Sequence, residues 1–160
     1  PLFYNHKNTG RPLQNGKWFE KFRSNYLDVD NDALYPFGYG LSYTTFQYGD
    51  IVLNTPTMKQ NETITATIQV TNSGKYDGAE VVQLYIRDLV GSITRPVREL
   101  KGFKKVFLKA GESKTISFKI TADLLRFYDY DLNQVTEPGE FDIFIGGSSQ
   151  ATKTARLTLK

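Results

Sequence analysis

Ile64, Ala66, Ile68 and Val70 alternate without a break with Thr65, Thr67, Gln69 and Thr71. A period of two places the apolar side chains on one face of a strand and the polar ones on the other. Such a strand has one face to bury, so its sheet must be backed by a second layer. The pattern returns downstream. Val82, Leu84 and Ile86 alternate with Gln83, Tyr85 and Arg87, and Ile116, Phe118 and Ile120 with Ser117 and Lys119. Ile51 with Leu53, Leu100 to Leu108, the Phe141, Ile143, Ile145 series, and Leu157 with Leu159 supply further β segments. Between them lie Asn72-Ser73-Gly74, Asp77-Gly78, Ala110-Gly111-Glu112, Pro138-Gly139 and Gly146-Gly147-Ser148-Ser149, all turn chemistry. Ala122 to Tyr130 reads as a short helical turn crossing between sheets. About seven strands, with turn signals roughly every 8–12 residues, predict an all-β, immunoglobulin-like sandwich. A barrel fits the same periodicity.

The β pattern starts at Phe46. Before it, Tyr35, Phe37, Tyr39 and Tyr43 place four rings within nine residues, punctuated by Pro36, Gly38 and Gly40. Pro36 fixes its own φ and pushes Tyr35 toward an extended conformation. Gly38 and Gly40 can take up positive φ or let another backbone pass close by. The segment is too broken for a helix and too irregular for a plain strand. It reads as a pinned connector with rings anchored on surfaces to either side. Residues 1–33 carry Phe3, Tyr4, Trp18, Phe19, Phe22 and Tyr26 but few aliphatics, and so lack the makings of a core. A short turn is expected near Trp18 to Phe22. The division predicted is residues 1–45 as tail and connector and 46–160 as the sandwich. Trp18, Tyr35, Phe37, Tyr39 and Tyr43 are the expected docking residues.

Three separated motifs also resemble one family. Tyr35-Pro36-Phe37-Gly38-Tyr39-Gly40-Leu41-Ser42-Tyr43-Thr44-Thr45-Phe46 is similar to the lead into the C-terminal fibronectin type III-like domain of family 3 glycoside hydrolases. Tyr4-Asn5-His6-Lys7-Asn8-Thr9-Gly10-Arg11-Pro12 resembles the end of the preceding α/β sandwich domain in bacterial β-glucosidases of that family. Arg95-Pro96-Val97-Arg98-Glu99-Leu100-Lys101-Gly102-Phe103 resembles a loop and strand of the same last domain. The resemblance implies a fibronectin type III-like sandwich at the end of a longer, periplasmic or secreted β-glucosidase. It implies partners in the upstream catalytic domains of the same polypeptide, with a homodimer face as a further expectation. The parent's oligosaccharide substrate would be met upstream: the family's nucleophilic aspartate and acid/base glutamate lie on its first two domains, before Pro1. No catalytic residue is therefore assigned. A carbohydrate-binding or protein-interaction module is the alternative, with Tyr48, Tyr76, Tyr85, Phe107, Tyr128 and Tyr130 as candidate sugar-stacking rings.

The remaining chemistry is sparse. With no cysteine, disulfides and thiolate metal sites are excluded. His6 is the only histidine, which rules out a histidine cluster, and a hydrogen bond within the connector is its expected role. Asp28-Val29-Asp30-Asn31-Asp32 begins like a calcium loop, but Ala33 and Tyr39 stand where an EF-hand needs glycine and glutamate. It reads as a solvated acidic turn, and no metal or cofactor is expected. Glu80, Glu99, Glu137 and Glu140 sit beside turns or edges with no reason to pair as a hydrolytic couple. Asn61-Glu62-Thr63 is a formal glycosylation acceptor. The 20 basic and 17 acidic residues are interspersed, giving a net charge of +3 and no stripe of the kind that binds nucleic acid. No apolar run reaches membrane-spanning length.

Overall fold

The computed structural model describes residues 3–12 and 21–160. Trp18 and most of the turn expected around it lie outside the described residues. The strands are β1 (Phe46–Tyr48), β2 (Val52–Leu53), β3 (Thr57–Met58), β4 (Thr63–Asn72), β5 (Gly78–Asp88), β6 (Glu99–Leu108), β7 (Ser113–Thr121), β8 (Phe127–Tyr128), β9 (Gln134–Val135), β10 (Gly139–Gly146) and β11 (Thr154–Leu159). A 3-10 turn at Ala122–Leu125 follows β7, and β8 and β9 form a small separate ribbon. The crossing predicted for that stretch is therefore half helical and half hairpin.

Two open sheets face each other, which settles the choice between sandwich and barrel. The first holds β4 at its centre, with β7 along one side and β1 and β2 in succession along the other. Tyr48 faces Val70 and Val52 faces Thr67, so this edge carries one more residue than β4 between those pairs. The extra residue is a bulge beside Gly49, and it splits one edge strand in two. The second sheet runs β3, β11, β10, β5, β6. β3 joins it in parallel with β11, whereas the long pairings are antiparallel.

The register explains the core. Ile64, Ala66 and Ile68 lie opposite Ile120, Phe118 and Ile116 on one sheet. Leu84 and Ile86 lie opposite Ile145 and Ile143 on the other. These residues close together with Val70, Val82, Phe141, Leu157 and Leu159 into one buried cluster. The dyad pattern of the sequence thus holds for the inner faces.

Two turns share one device. Glu62 and Glu112 each accept the N–H of the residue three before, Lys59 and Lys109, at 2.8 Å on a carboxylate oxygen. Each also returns its own N–H to that residue's carbonyl, at 3.0 and 2.9 Å. The chain is thereby reversed just ahead of β4 and β7. Gly111, at φ +78°, supplies the left-handed residue in the second turn.

Beside the second of these turns, Asn72 is fully buried and uses every side-chain valence. Its Oδ1 accepts from the Thr44 hydroxyl (2.6 Å) and the Gly74 N–H (3.1 Å). Its Nδ2 donates to the carbonyls of Tyr76 (2.8 Å) and Leu108 (3.0 Å). Its backbone carbonyl and N–H pair with Gly111 and Glu112. One asparagine, through its side chain and its backbone, therefore ties the connector, the β4–β5 turn and the β6–β7 turn together.

Candidate docking face

β5 departs from simple alternation. Val82, Leu84 and Ile86 point into the core, yet Gln83 and Tyr85 between them are also buried, Tyr85 with no exposed surface at all. Tyr85 is one of the candidate sugar-stacking rings, and its burial removes it from that set. What covers it is the chain's own beginning. Tyr4 meets Tyr85 edge-on at 6.1 Å and lies flat on Phe37 at 4.0 Å, its hydroxyl 3.4 Å from the Leu100 N–H. Tyr48 is corrected likewise: it is half-buried and donates to Glu80 at 2.5 Å. Tyr76, Phe107, Tyr128 and Tyr130 are exposed.

The connector is clamped from below. Gln83 Nε2 donates to the carbonyls of Gly38 (3.0 Å) and Gly147 (2.8 Å), while its Oε1 accepts from the Tyr85 hydroxyl (2.5 Å). The Ser149 N–H donates to the Phe37 carbonyl at 2.8 Å. Gly38 sits at φ +79°, and a Cβ there would lie 2.0 Å from Gln83 Oε1. Both uses of glycine foreseen for this segment, positive φ and close approach, fall on Gly38. Gly40 shows neither.

A second contact holds the tail further along. The Val97 N–H donates to the His6 carbonyl at 2.9 Å, and Lys7 bridges to Pro96. The His6 ring donates from Nδ1 to the Lys7 carbonyl at 3.0 Å, a role within the connector as its surroundings suggested. The β5–β6 loop that receives them is braced by Arg95. Its guanidinium lies 4.2 Å over the Phe127 ring and bonds Glu99 at 2.9 Å, with Asp88 3.6 Å from its Nε. Arg98 stacks 3.8 Å over Phe144 and donates to the carbonyls of Ser149 and of Ala151, the latter at 3.0 Å. It fixes the loop that holds Phe37. These partners were hidden from the sequence because they come from four separate stretches of chain.

The expected docking residues divide. Phe37 is half committed, stacked on Tyr4. Tyr35 and Tyr39 lie against one another at 5.6 Å but stay exposed. Tyr43 is 98% exposed. The result is a backbone clamped on one side with rings displayed on the other. Beside them, Phe3, Tyr35 and Phe37 with Asn31, Asp32 and Gln150 line an open groove of about 400 Å³. Asn31 organises the acidic turn, accepting from the Tyr26 N–H (3.1 Å) and donating to the Ser24 carbonyl (2.8 Å).

The four glutamates weighed as a hydrolytic couple are each structurally engaged. Glu80 holds Tyr48, Glu99 holds Arg95, Glu137 accepts the Ser92 N–H at 2.9 Å, and Glu140 pairs with Arg156 at 2.7 Å. Burial raises the Glu80 carboxyl, although the Tyr48 bond pulls the other way. Burial also pushes the Tyr85 phenol up to about 12, with Tyr4 adding to the rise and Arg98 opposing it. A phenol ionises near 10 in an unfolded chain, so Tyr85's contribution to stability is complete below about pH 10 and is lost as the pH climbs toward 12. In denaturant titrations, the stability advantage over Tyr85→Phe should be flat to that point and then shrink. An advantage unchanged up to pH 12 would show the ring to be solvated.

A family model for the fibronectin type III-like domain matches residues 80–149, which run from β5 through the β10–β11 loop. The chain is 47% identical over 159 residues to the periplasmic beta-glucosidase of Salmonella typhimurium, covering 99% of this chain and 21% of that protein. The chain carries a fibronectin type III-like domain, and its relatives are β-glucosidases and β-xylosidases of glycoside hydrolase family 3. A beta-xylosidase of Formosa agariphila is 48% identical over 140 residues, which is 86% of this chain and 19% of the relative. The crystal structure of a beta-glucosidase from Listeria innocua in complex with glucose superposes with a TM-score of 0.92 at 39% identity, over 99% of this chain and 22% of that one. The chain thus spans about a fifth of the length of the relatives it matches. The domain and its leading tail are shared as one unit with these larger enzymes.

Proposed function

We propose that this chain is the non-catalytic C-terminal part of a periplasmic or secreted β-glucosidase that releases terminal β-D-glucosyl residues, and that it braces the catalytic domains preceding it. The observation that carries the reading is the connector. Its backbone is fixed on the outer face of the second sheet by Gln83 and Ser149, while Tyr35, Tyr39 and Tyr43 stay uncovered. Ordering large rings and leaving them in water wastes their burial energy, about 1.5–3 kcal/mol for a large apolar side chain. A docking surface on the same polypeptide would recover it. Trp18 belongs to the same proposed docking set. The residues that support such a contact need not touch substrate: they hold a neighbouring domain in place.

The test compares two proteins, the 160-residue chain and the protein carrying its upstream sequence. Tyr39→Ser with Tyr43→Ser is expected to lower the melting temperature of the longer protein by several degrees and to leave that of the short chain nearly unchanged. The longer protein should hydrolyse an aryl β-glucoside and the short chain should not. Equal melting temperatures for variant and parent in the longer protein would remove the bracing role.

A further inference from the structure

β6 is an edge strand, and its outward face is unusually apolar for one. Phe103 and Phe107 are 67% and 56% exposed on it, and directly opposite on β5 lie Gln83 and Ala79, with Val81 facing Lys105 between them. Natural edges are normally blunted by charge, short length or cover. Here the strand runs ten residues and carries Lys101, Lys104 and Lys105, yet two aromatic rings stand on its outward face. The connector lies on the neighbouring strand at Gln83, whose side chain holds the Gly38 carbonyl and which is paired directly with Phe103. The Phe103–Phe107 patch therefore flanks the connector that carries the exposed tyrosines, on the same side of the second sheet.

We propose that this patch is a second docking surface, occupied by an acid-rimmed apolar face on the catalytic part of the same polypeptide. The proposal rests on the bracing role above and names a further surface and its chemistry. Charge selects the occupant. Lys101 is paired with Glu99 at 3.7 Å and Lys104 lies over the Phe118 ring at 5.6 Å. Lys105 stands between the two phenylalanines with no ion pair among the described residues. A two-fold interface centred here would set Lys105 against its own copy, and like charges placed together are disfavoured. Carboxylates on a different surface would instead complete the lysine rim. Tethering to the same chain also raises the effective concentration of that surface far above any free partner's.

Hydroxyl-radical footprinting read by mass spectrometry tests this on the 160-residue chain and on the protein with its upstream sequence. Phe103 and Phe107 should label freely in the short chain and lose most of that labelling in the longer protein. Lys105→Glu in the longer protein should restore it, while labelling at Tyr35, Tyr39 and Tyr43 stays low. If those tyrosines are protected but Phe103 and Phe107 label equally in both proteins, this second surface is wrong and the bracing role stands. If none of the rings is protected, both fail. Protection in the short chain that grows with concentration would make a second copy the occupant and overturn the proposal, as would a Lys105→Glu protein that stays fully protected.

Discussion

Replacing Asn72 with aspartate is expected to cost the domain about 3–5 kcal/mol, because it turns two buried donors into an acceptor that faces carbonyl oxygens. The shape barely changes, so the loss cannot be assigned to a cavity. Tyr76 and Leu108 would each lose the amide proton they now accept at 2.8 and 3.0 Å. The new carboxyl must either ionise beside two carbonyls or hold a proton against its normal tendency. Its pKa therefore rises on folding. A carboxyl whose folded pKa is raised is tolerated best below its unfolded value near 3.9 and costs more as the pH climbs through the folded value. Asn72→Asp should accordingly be more damaging at pH 7 than at pH 4 relative to wild type, and Asn72→Ala should lack that dependence. Urea unfolding at the two pH values measures it. A loss below about 1 kcal/mol at pH 7 would mean that water reaches the site.

Gly38→Ala is expected to lower stability by about 2–4 kcal/mol, with the damage confined to one side of the molecule. Two independent penalties act at this residue. An L side chain at φ +79° is strained, and its Cβ would overlap Gln83 Oε1 at 2.0 Å. Gln83 cannot retreat freely, since it bonds Gly38, Gly147 and Tyr85 at once. The connector must lift, which uncovers Tyr85 and loosens Tyr4 and Phe37. The β4–β7 pairing lies on the far sheet and should be untouched. Near-ultraviolet circular dichroism should weaken in the tyrosine region while the far-ultraviolet β signal persists. A spectrum unchanged in both regions, with full stability, would show that the clamp is unimportant.

The inner faces of the sandwich were legible because a strand's periodicity reports its own nearest layer. Ile64 to Val70 and Ile116 to Ile120 needed no knowledge of distant residues. The outer face of β5 was not legible, because what decides whether Tyr85 is exposed is Tyr4, some eighty residues earlier. Gly38 could be foreseen in kind, from glycine's freedom two residues after a proline, but its partner Gln83 sits inside an alternation that looks ordinary. Asn72 reads as the first residue of an Asn-Ser-Gly turn, and its hold on Thr44 and Leu108 is visible only once β4, β6 and the connector are side by side. The ring-dense segment itself could be named from the sequence. Which of its rings turn inward could not, since Phe37 and Tyr39 differ by two positions and have the same kind of neighbours.

Amide hydrogen exchange at Ser149 and Val97 tests the central claim, that the tail and connector are fixed on the outer face of the second sheet. Both residues lie in loops, outside every strand. Each N–H has its partner in the leading segment: the Phe37 carbonyl at 2.8 Å for Ser149 and the His6 carbonyl at 2.9 Å for Val97. The clamp predicts that both amides exchange far more slowly than free loop amides, and that Gly38→Ala restores fast exchange at Ser149 while leaving Ile68 and Ile143 protected. Exchange at loop rates in the wild-type chain, with the strands still protected, would show that the connector is not held there and would contradict the account.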